Sequence, residues 1–400
     1  MVTNPDTPLT LLGGLTPAQF MKTHWQRKPL LVRQAIPGFR PPLSVAAVKK
    51  MSRRDDVESR LVWQEQGQWH MQRGPFARLP SPAKPDWTVL VQSVDIHDDS
   101  AAALMNQFRF IPDARLDDLM ISVATDGGGV GPHFDSYDVF LLQAHGRRRW
   151  RFGQQKRLDL IEGLALKILR NFEPEQEFDL EPGDMLYLPP QCAHDGIALG
   201  DCMTISIGFR VPDTATLARG MLEAACDQVT ARAGGVSGPY GEPPLPGPTL
   251  NGLYKDPGQP ATAHPAQIPD RLAAAALQSV ARIRFDEALA TRFLGCWLTE
   301  PNQLAVFDHG DAQAADDEEH ALPTHWVLDR RTRMLYRGTQ LFINGEVAPV
   351  RAEPGLRALA DARELAADGT AARKLSQGAT DALAEWVDAG WIHAIRRQSL

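Results

Sequence analysis

The feature that most constrains the fold of this 400-residue sequence is a series of short apolar segments between about residues 117 and 210. They read LMISVAT, DVFLLQA, RRRWRF, DMLYLPP and CMTISIGFR. Each has the length and composition of a strand, and Pro182-Gly183-Asp184 supplies the turn before MLYLPP. Several short strands separated by turns are typical of a β-sandwich or a β-barrel.

The segments on either side of this region have a different character. Before it we predict a helix that starts at Thr16-Pro17, the strands PLLVRQA and DWTVLVQSV, a hairpin in 59–72 and a helix in 99–108. After it, the alanine-rich stretch 214–233 predicts a helix, and a Pro/Gly-rich connector follows over 234–270. RLAAAALQSVARI and DEALATRFLGCWL predict two more helices. The last hundred residues alternate strands and helices, which predicts a small α+β module.

Composition and charge limit the class of protein. A content of 43% hydrophobic and 23% charged residues is globular, and the length predicts two or three domains. The net charge of −7 argues against nucleic acid as a partner. The 4 cysteines form no CxxC pair, no signal peptide opens the chain, and no apolar run approaches the ~20 residues of a membrane span. We therefore expect a cytoplasmic protein without a membrane partner.

One short motif places two metal-binding side chains at strand spacing. In GPHFDSYDVF, His133 and Asp135 lie two positions apart, so on a strand they point to the same face. Two histidines and one carboxylate form the facial triad of non-haem Fe(II) oxygenases. The third ligand must come from a distant strand, and His194 in LPPQCAHDGIAL is the candidate. Because HxD pairs also arise by chance, a histidine satisfied in the core fits this pattern as well as a metal ligand does.

Other side chains compete for a place in such a site. His145 is a rival third ligand, but it lies at a predicted turn in QAHGRR, which favours a role in a loop. Cys192 and Cys202 flank His194 and could suggest zinc. Neither has a partner at zinc-ligand spacing, so we interpret both as small core residues.

The arginine triplet in GRRRWRF offers a binding group for an anion. Strand alternation places Arg147 and Arg149 on one face and Arg148 on the other. If Arg148 faces the interior, it needs an anionic partner, and a carboxylate that accepts two hydrogen bonds suits a guanidinium best. Such an arginine beside an iron site is what 2-oxoglutarate requires, and Ser122 could add a hydroxyl. A solvated basic edge is the other interpretation of the triplet.

The block RLDDLMISVATDGGGVGPHFDSYDVFLLQAHGRRRWRFG resembles the Jumonji C-type ribosomal oxygenases, specifically the bacterial arginine hydroxylases of the cupin superfamily. The resemblance extends over nearly the whole chain. LLGGLTPAQFMKTHWQRKPLLVRQA is similar to the opening of that family, LPPQCAHDGIAL to its second histidine segment, and HPAQIPD and FLGCWLTEPN to its helical middle.

The resemblance implies a fold and a set of ligands. It implies an α+β chain in three parts: a double-stranded β-helix of the jelly-roll type over 1–213, a helical dimerisation region over 214–300, and a winged-helix domain over 301–400. It implies that Fe(II) binds His133, Asp135 and His194, with 2-oxoglutarate and O2 as cosubstrates. Arg148 would hold the distal carboxylate of 2-oxoglutarate, with Ser122 as a helper.

The implied activity is hydroxylation of an arginine side chain in a large-subunit ribosomal protein by a homodimeric enzyme. A guanidinium substrate needs acidic or aromatic neighbours at the mouth of the site. The candidates near the motif are Asp117, Asp118, Asp126, Tyr137 and Asp138. Ala114, Val123 and Ser136 depart from the residues usual in the family, which leaves the substrate contacts open.

Two alternatives to this activity stay open at the level of sequence. The same chemistry could act on another residue, by histidine hydroxylation or by lysine or arginine demethylation. A non-catalytic module whose winged helix binds DNA is the second alternative. GLRALADARELAA and TDALAEWVDAG carry few lysines and arginines, which argues against phosphate contacts.

Overall fold

The structure is a computed structural model, and it describes residues 4–232, 250, 252–308 and 323–396. The acidic run DAQAADDEEH at 311–320, for which we expect a solvated loop, and residues 234–249 of the predicted connector lie outside the described residues. The described helices are α1 Pro17–Thr23, α2 Val45–Met51, α3 Asp99–Met105, α4 Thr214–Arg232, α5 Asp270–Ala281, α6 Glu287–Thr299, α7 Pro354–Ala362 and α8 Gln377–Asp388. In this part of the chain no helix is long and apolar enough to cross a membrane.

The first nine strands form one antiparallel sheet. They are β1 Leu30–Val32, β2 Ser59–Glu65, β3 Gln68–Arg73, β4 Trp87–Val91, β5 Leu116–Ala124, β6 Val139–Gly153, β7 Gln176–Leu180, β8 Met185–Leu188 and β9 Ala193–Phe209. Their order is β1-β8-β6-β9-β5-β4-β2-β3, and β7 pairs with β6. Inward-facing residues of β2, β4, β5, β6 and β9 line one cavity, so the sheet closes around it.

Two strands are longer than the sequence predicts. The turn expected at QAHGRR is a bulge within β6, where the register against β9 shifts on both sides of His145. Gly146 has a φ of 62° there, and a Cβ at this position would lie 2.1 Å from the carbonyl oxygen of Asp201. Likewise, β9 begins at Ala193, before the predicted strand CMTISIGFR, and includes His194. A bulge and a turn both use glycine and polar residues, and only the partner strand distinguishes them.

The predicted N-terminal helix is confirmed, and it anchors the N-terminal segment of the chain to the sheet. The Thr16 side chain accepts a hydrogen bond from the Gln19 amide, and the Gln19 side chain accepts one from the Thr16 amide, which completes a capping box. Phe20 is fully buried against Phe140 of β6 and Tyr187 of β8. The N-terminal segment therefore packs against two strands of this sheet, β6 and β8.

The C-terminal residues form a separate core. Its strands are β10 Pro323–Leu328, β11 Met334–Arg337, β12 Gln340–Ile343, β13 Glu346–Val347, β14 Glu364–Ala366 and β15 Ile392–Arg396. They make two three-stranded sheets, β14-β10-β15 and β11-β12-β13, packed with α7 and α8. The helix predicted over GLRALADARELAA ends at Ala362, and its last residues form β14 instead. Arg363 has a φ of 62°, which ends the helix, and β14 then pairs with β10.

Candidate metal centre and cosubstrate pocket

The fold brings together the three side chains that the sequence proposed as metal ligands. One ligand atom from each of His133, Asp135 and His194 lies within 4.8 Å of the other two. Nε2 of His194 is 3.7 Å from Oδ2 of Asp135, and the two imidazole rings have centroids 4.2 Å apart. Two imidazoles and one carboxylate at this separation can hold one divalent transition metal ion.

Main-chain pairing fixes this geometry. The His133 amide donates to the His194 carbonyl at 2.9 Å, and the His194 amide donates back at 2.8 Å. Nδ1 of His133 donates to the Gly131 carbonyl at 2.8 Å, and Nδ1 of His194 donates to the Cys192 carbonyl at 2.9 Å. Since Nδ1 carries the proton in both rings, Nε2 is the free nitrogen that can bind a metal.

The electrostatics also suit a metal ligand. His194 is 2% exposed, and this burial, together with the neighbouring His133, lowers the pKa of His194 to about 4. The imidazole is therefore neutral at neutral pH, which is the form that ligates.

The rival ligands lie elsewhere. His145 is exposed and outside the triad, but its predicted position in a loop is wrong, because it lies on the bulge within β6. Cys192 is buried with Sγ 3.6 Å from the Gly153 carbonyl oxygen, and Cys202 is buried beside Ala124 and Ala198. The prediction that both cysteines are small core residues is confirmed. Within residues 4–232, 252–308 and 323–396, the triad is the one group of three or more His, Cys, Asp or Glu side chains close enough together to hold a metal ion.

Arg148 faces the cavity, not the solvent. It is 5% exposed, and Nη1 lies 3.5 Å from Oγ of Ser122, which is also buried. Nε and Nη2 are buried and have no hydrogen-bond partner among the described residues. Arg149, on the opposite face, pairs with Asp179 at 2.7 Å. Because a buried cation needs an anionic partner, Arg148 and Ser122 form a binding site for a carboxylate in the same cavity as the triad.

The cavity has a volume of about 1080 Å³. Asp95, Asp117 and Asp118 lie close together in its lining, and we call these three residues the acidic wall. Of the predicted mouth residues, Asp117, Asp118 and Tyr137 line it. The other two do not: Asp126 accepts a hydrogen bond from the Gly200 amide, and Asp138 is buried against Tyr187.

Sequence reasoning missed several residues of the cavity lining. Glu58, Asp95 and Glu300 also line the cavity, as does Arg333 from the C-terminal core. Burial, together with the carboxylates of Asp95 and Asp117, raises the pKa of Asp118 to about 7. The four residues that sequence reasoning missed lie far from the HxD motif in sequence, and no local pattern marks them.

Comparison with known proteins agrees with this architecture. The JmjC domain family matches residues 103–217, and the ROXA-like winged helix matches residues 282–393. The chain is 33% identical over 362 residues to the ribosomal protein uL16 3-hydroxylase of Escherichia coli, with 87% of this chain and 90% of that protein covered. It is 34% identical over 220 residues to a probable ribosomal oxygenase of Haemophilus influenzae, with 54% of each chain covered.

A similar fold is known from crystal structures. The E. coli ribosomal oxygenase YcfD superposes with a TM-score of 0.73 at 30% identity, covering 95% of this chain and 98% of that chain. A second structure of YcfD, in complex with cobalt and 2-oxoglutarate, superposes with a TM-score of 0.71 at the same identity and coverage. The predicted double-stranded β-helix and C-terminal winged helix are thereby confirmed, and the chain belongs to the JmjC-domain ribosomal oxygenases.

Proposed function

We propose that this protein is an Fe(II)- and 2-oxoglutarate-dependent hydroxylase that acts on an arginine side chain of a large-subunit ribosomal protein. The observation that carries the proposal is the unpaired guanidinium of Arg148, buried in the same cavity as the His133–Asp135–His194 group. A metal triad and a buried carboxylate receptor in one cavity are the two parts that such an enzyme needs.

The side chains present fit both groups. His133, Asp135 and His194 would hold Fe(II), and Arg148 with Ser122 would hold the distal carboxylate of 2-oxoglutarate. Together with 2-oxoglutarate and O2, the bound iron supplies the oxidising power to insert oxygen into an unactivated C–H bond. Buried apolar side chains line the cavity beside this receptor: Leu141, and Trp150, whose ring centroid is 5.7 Å from Cζ of Arg148.

The acidic wall favours a cationic side chain as the substrate. The carboxylates of Glu58, Asp117, Asp118 and Glu300 line the cavity. Arg210, which also lines it, already pairs with Asp117 at 2.9 Å, so Asp118 is the carboxylate of this wall that we propose as the receptor. A guanidinium can donate two parallel hydrogen bonds to one carboxylate, which a neutral histidine ring cannot do. This lining supports arginine over histidine, whereas methylated lysine or arginine shares the charge and is distinguished by experiment.

A basic ribosomal protein suits the charge of this chain, which is −7. The E. coli relative is named for uL16, and we propose that a large-subunit protein fills the same role here, in the cytoplasm. We also propose the division into a catalytic domain over 1–213, a helical dimerisation region over 214–300 and a winged-helix domain over 301–400.

The test is intact-mass spectrometry of large-subunit ribosomal proteins from a strain that lacks this gene. They are incubated with the purified chain, Fe(II) and 2-oxoglutarate, and the Asp135→Ala variant is the control. We expect one protein to gain one oxygen, with fragmentation placing it on an arginine, and no gain in the control. Release of formaldehyde would indicate demethylation instead. Full turnover by Asp135→Ala would contradict the proposed metal centre.

A further inference from the structure

The cavity of the catalytic domain is completed by residues from the C-terminal part of the chain. The end of α6 and the segment that follows it contribute Trp297, Glu300, Asn302 and Gln303 to the lining, and Arg333 enters just before β11. The acidic wall of the cavity, formed by Asp95, Asp117 and Asp118, lies where these residues meet the catalytic domain.

Arg333 contacts the strand that carries the acidic wall. Its Nη2 donates to the Asp117 carbonyl at 2.7 Å, and its Nη1 donates to the Leu116 carbonyl at 3.3 Å. The guanidinium therefore spans two consecutive carbonyls at the start of β5, directly before Asp118. Its positive charge is also attracted by the three carboxylates of the acidic wall.

Asn302 reaches Asp118 through one intermediate residue. Nδ2 of Asn302 donates to Oγ of Ser93 at 3.0 Å. The Ser93 amide donates to Oδ2 of Asp118 at 3.0 Å, and its hydroxyl lies 3.4 Å from the same oxygen. Ser93 has a φ of 48°, a left-handed conformation that costs a non-glycine residue free energy and is kept where surrounding contacts enforce it. Asn302 supplies one of those contacts.

We propose that Asn302 and Arg333 are positioning residues, which hold the acidic wall in the orientation that receives the cationic side chain of the substrate. The winged-helix part of the chain then sets the affinity for the protein substrate, and this role does not require it to bind nucleic acid. The inference rests on the proposed function, because it assumes a cationic substrate at Asp118.

A merely structural role is the competing explanation, since other arginines also join the two parts of the chain. Arg109 of the catalytic domain donates to the Ala360 carbonyl at 2.9 Å and to the Asp361 carbonyl at 2.8 Å. It contacts no residue of the acidic wall among the contacts that the structure describes, yet it lies in the same interface. Arg109 also donates to Asp113 of the catalytic domain at 2.8 Å. Arg109→Gln is therefore a control that weakens the interface without removing a contact to the acidic wall.

The experiment compares full-length Asn302→Ala, Arg333→Lys, Arg333→Gln and Arg109→Gln with the unmodified chain. The substrate is the ribosomal protein that gains oxygen in the mass-spectrometric assay. We expect Asn302→Ala to raise the KM for this protein by roughly fivefold to tenfold, the effect of one lost hydrogen bond. The KM for 2-oxoglutarate and its turnover without protein substrate stay within about twofold, because the metal centre is untouched. Arg333→Gln raises the KM for the protein substrate further. Arg333→Lys, which keeps the charge, has a smaller effect on this KM than Arg333→Gln.

Two results would overturn the inference while leaving the proposed function intact. One is an unchanged KM for the protein substrate in both Asn302→Ala and Arg333→Gln. The other is an equal rise in Arg109→Gln, which would show that a loose interface explains the effect. Thermal melting of each variant identifies loss of folding, and Asn302→Ala keeps the test valid if Arg333→Gln does not fold. If the unmodified chain hydroxylates no arginine, the proposed function fails and this inference fails with it.

Discussion

At the residue scale, the cavity separates two kinds of charge. Arg148 lies in the interior and has no anionic partner among the described residues, whereas Asp117 and Asp118 form part of the acidic wall. Asp117 is half-exposed and pairs with Arg210 at 2.9 Å, so Arg148 and Asp118 are the groups that a ligand of opposite sign would stabilise. The site is therefore built to be completed by an anionic cosubstrate on one side and a cationic substrate on the other.

The cost of leaving Arg148 unpaired leads to a prediction about 2-oxoglutarate. We expect Arg148→Gln to raise the KM for 2-oxoglutarate by roughly 10- to 100-fold, because a charged hydrogen-bonding partner contributes about 1.5–3 kcal/mol. The KM for the protein substrate should change little. Saturating 2-oxoglutarate with Fe(II) should raise the melting temperature of the unmodified chain and have a much smaller effect on the variant. An equal rise in both would contradict the assignment of Arg148.

The raised pKa of Asp118 predicts a pH dependence of substrate affinity. Asp95, Asp117 and Arg333 face this carboxyl, and the pKa is about 7 because of burial and then the two neighbouring carboxylates. Below that pH the carboxyl is protonated and cannot pair with a guanidinium, so the KM for the protein substrate should fall several-fold between about pH 6 and pH 8. Asp118→Asn should have a high KM that does not change over this range. A pH profile identical to that of the unmodified chain would contradict the prediction.

The same shift has a consequence for stability. An acid whose pKa is higher in the folded state than in the unfolded state binds more protons when folded. Its contribution to the free energy of unfolding is therefore full below pH 3.8, the ordinary value, and is lost as the pH rises through about 7. Asp118→Asn should unfold with a weaker pH dependence over this window, as measured by denaturant titration.

At the element scale, the position of the triad depends on how β9 pairs with its neighbours. β9 pairs with β6 along almost its whole length, and its second residue, His194, forms an isolated bridge with His133. The bulge at His145 and Gly146 keeps β6 continuous while it bends, so that Arg148 turns inward on the same strand that begins at Val139. This pair of strands thus carries Arg148 and His194, whereas Ser122 lies on β5 and the HxD motif lies in the segment between β5 and β6.

The bulge can be tested by substitution at Gly146. An added Cβ would lie 2.1 Å from the Asp201 carbonyl oxygen, so Gly146→Ala should lower the free energy of unfolding by about 2–4 kcal/mol. Gly200→Ala is the matched control, since Gly200 also has a positive φ, 75°, but has open space around it. It should cost only about 1–2 kcal/mol, the strain of the backbone conformation. Similar losses from chemical denaturation of the two variants would argue against a tight bulge.

At the scale of the whole molecule, α5 has no buried residue, yet one side of it is apolar. Leu277 and Val280 are 74% and 61% exposed, and Leu272 on the same helix is exposed as well. Contiguous exposed apolar surface indicates an interface with another chain. This region is where the sequence predicts a homodimer, which stays a prediction.

Light scattering tests that prediction. We expect a mass of twice the 44.1 kDa of one chain, because the apolar side of α5 would be covered by a second copy. The double variant Leu277→Asp/Val280→Asp should shift the protein to the monomer, whereas Gln278→Asp on the same helix should not. A monomeric mass for the unmodified chain would remove the prediction.

Local sequence patterns determined a large part of this protein. The alternation that turns Arg148 away from Arg147 and Arg149, and most of the strands, follow from backbone geometry that repeats every two residues. Such a pattern fixes which side chains share a face of one strand. It carries no information about which faces of distant strands meet. The strand predicted for His133 and Asp135 is wrong, because both residues lie in the segment between β5 and β6, where an isolated bridge joins His133 to His194.

The tertiary structure decided the rest. It brought His194 to His133, separated Asp118 from Asp126 and Asp138 among the predicted mouth residues, and added Glu58, Glu300 and Arg333 to the cavity. It also turned a predicted turn into a bulge and the end of a predicted helix into β14. All of these depend on pairing between segments far apart in sequence, because hydrogen bonding to a partner strand and burial against a second core outweigh local preference. The proposed metal ligands and the carboxylate receptor can thus be predicted from the sequence, whereas their assembly into one cavity is a property of the folded chain.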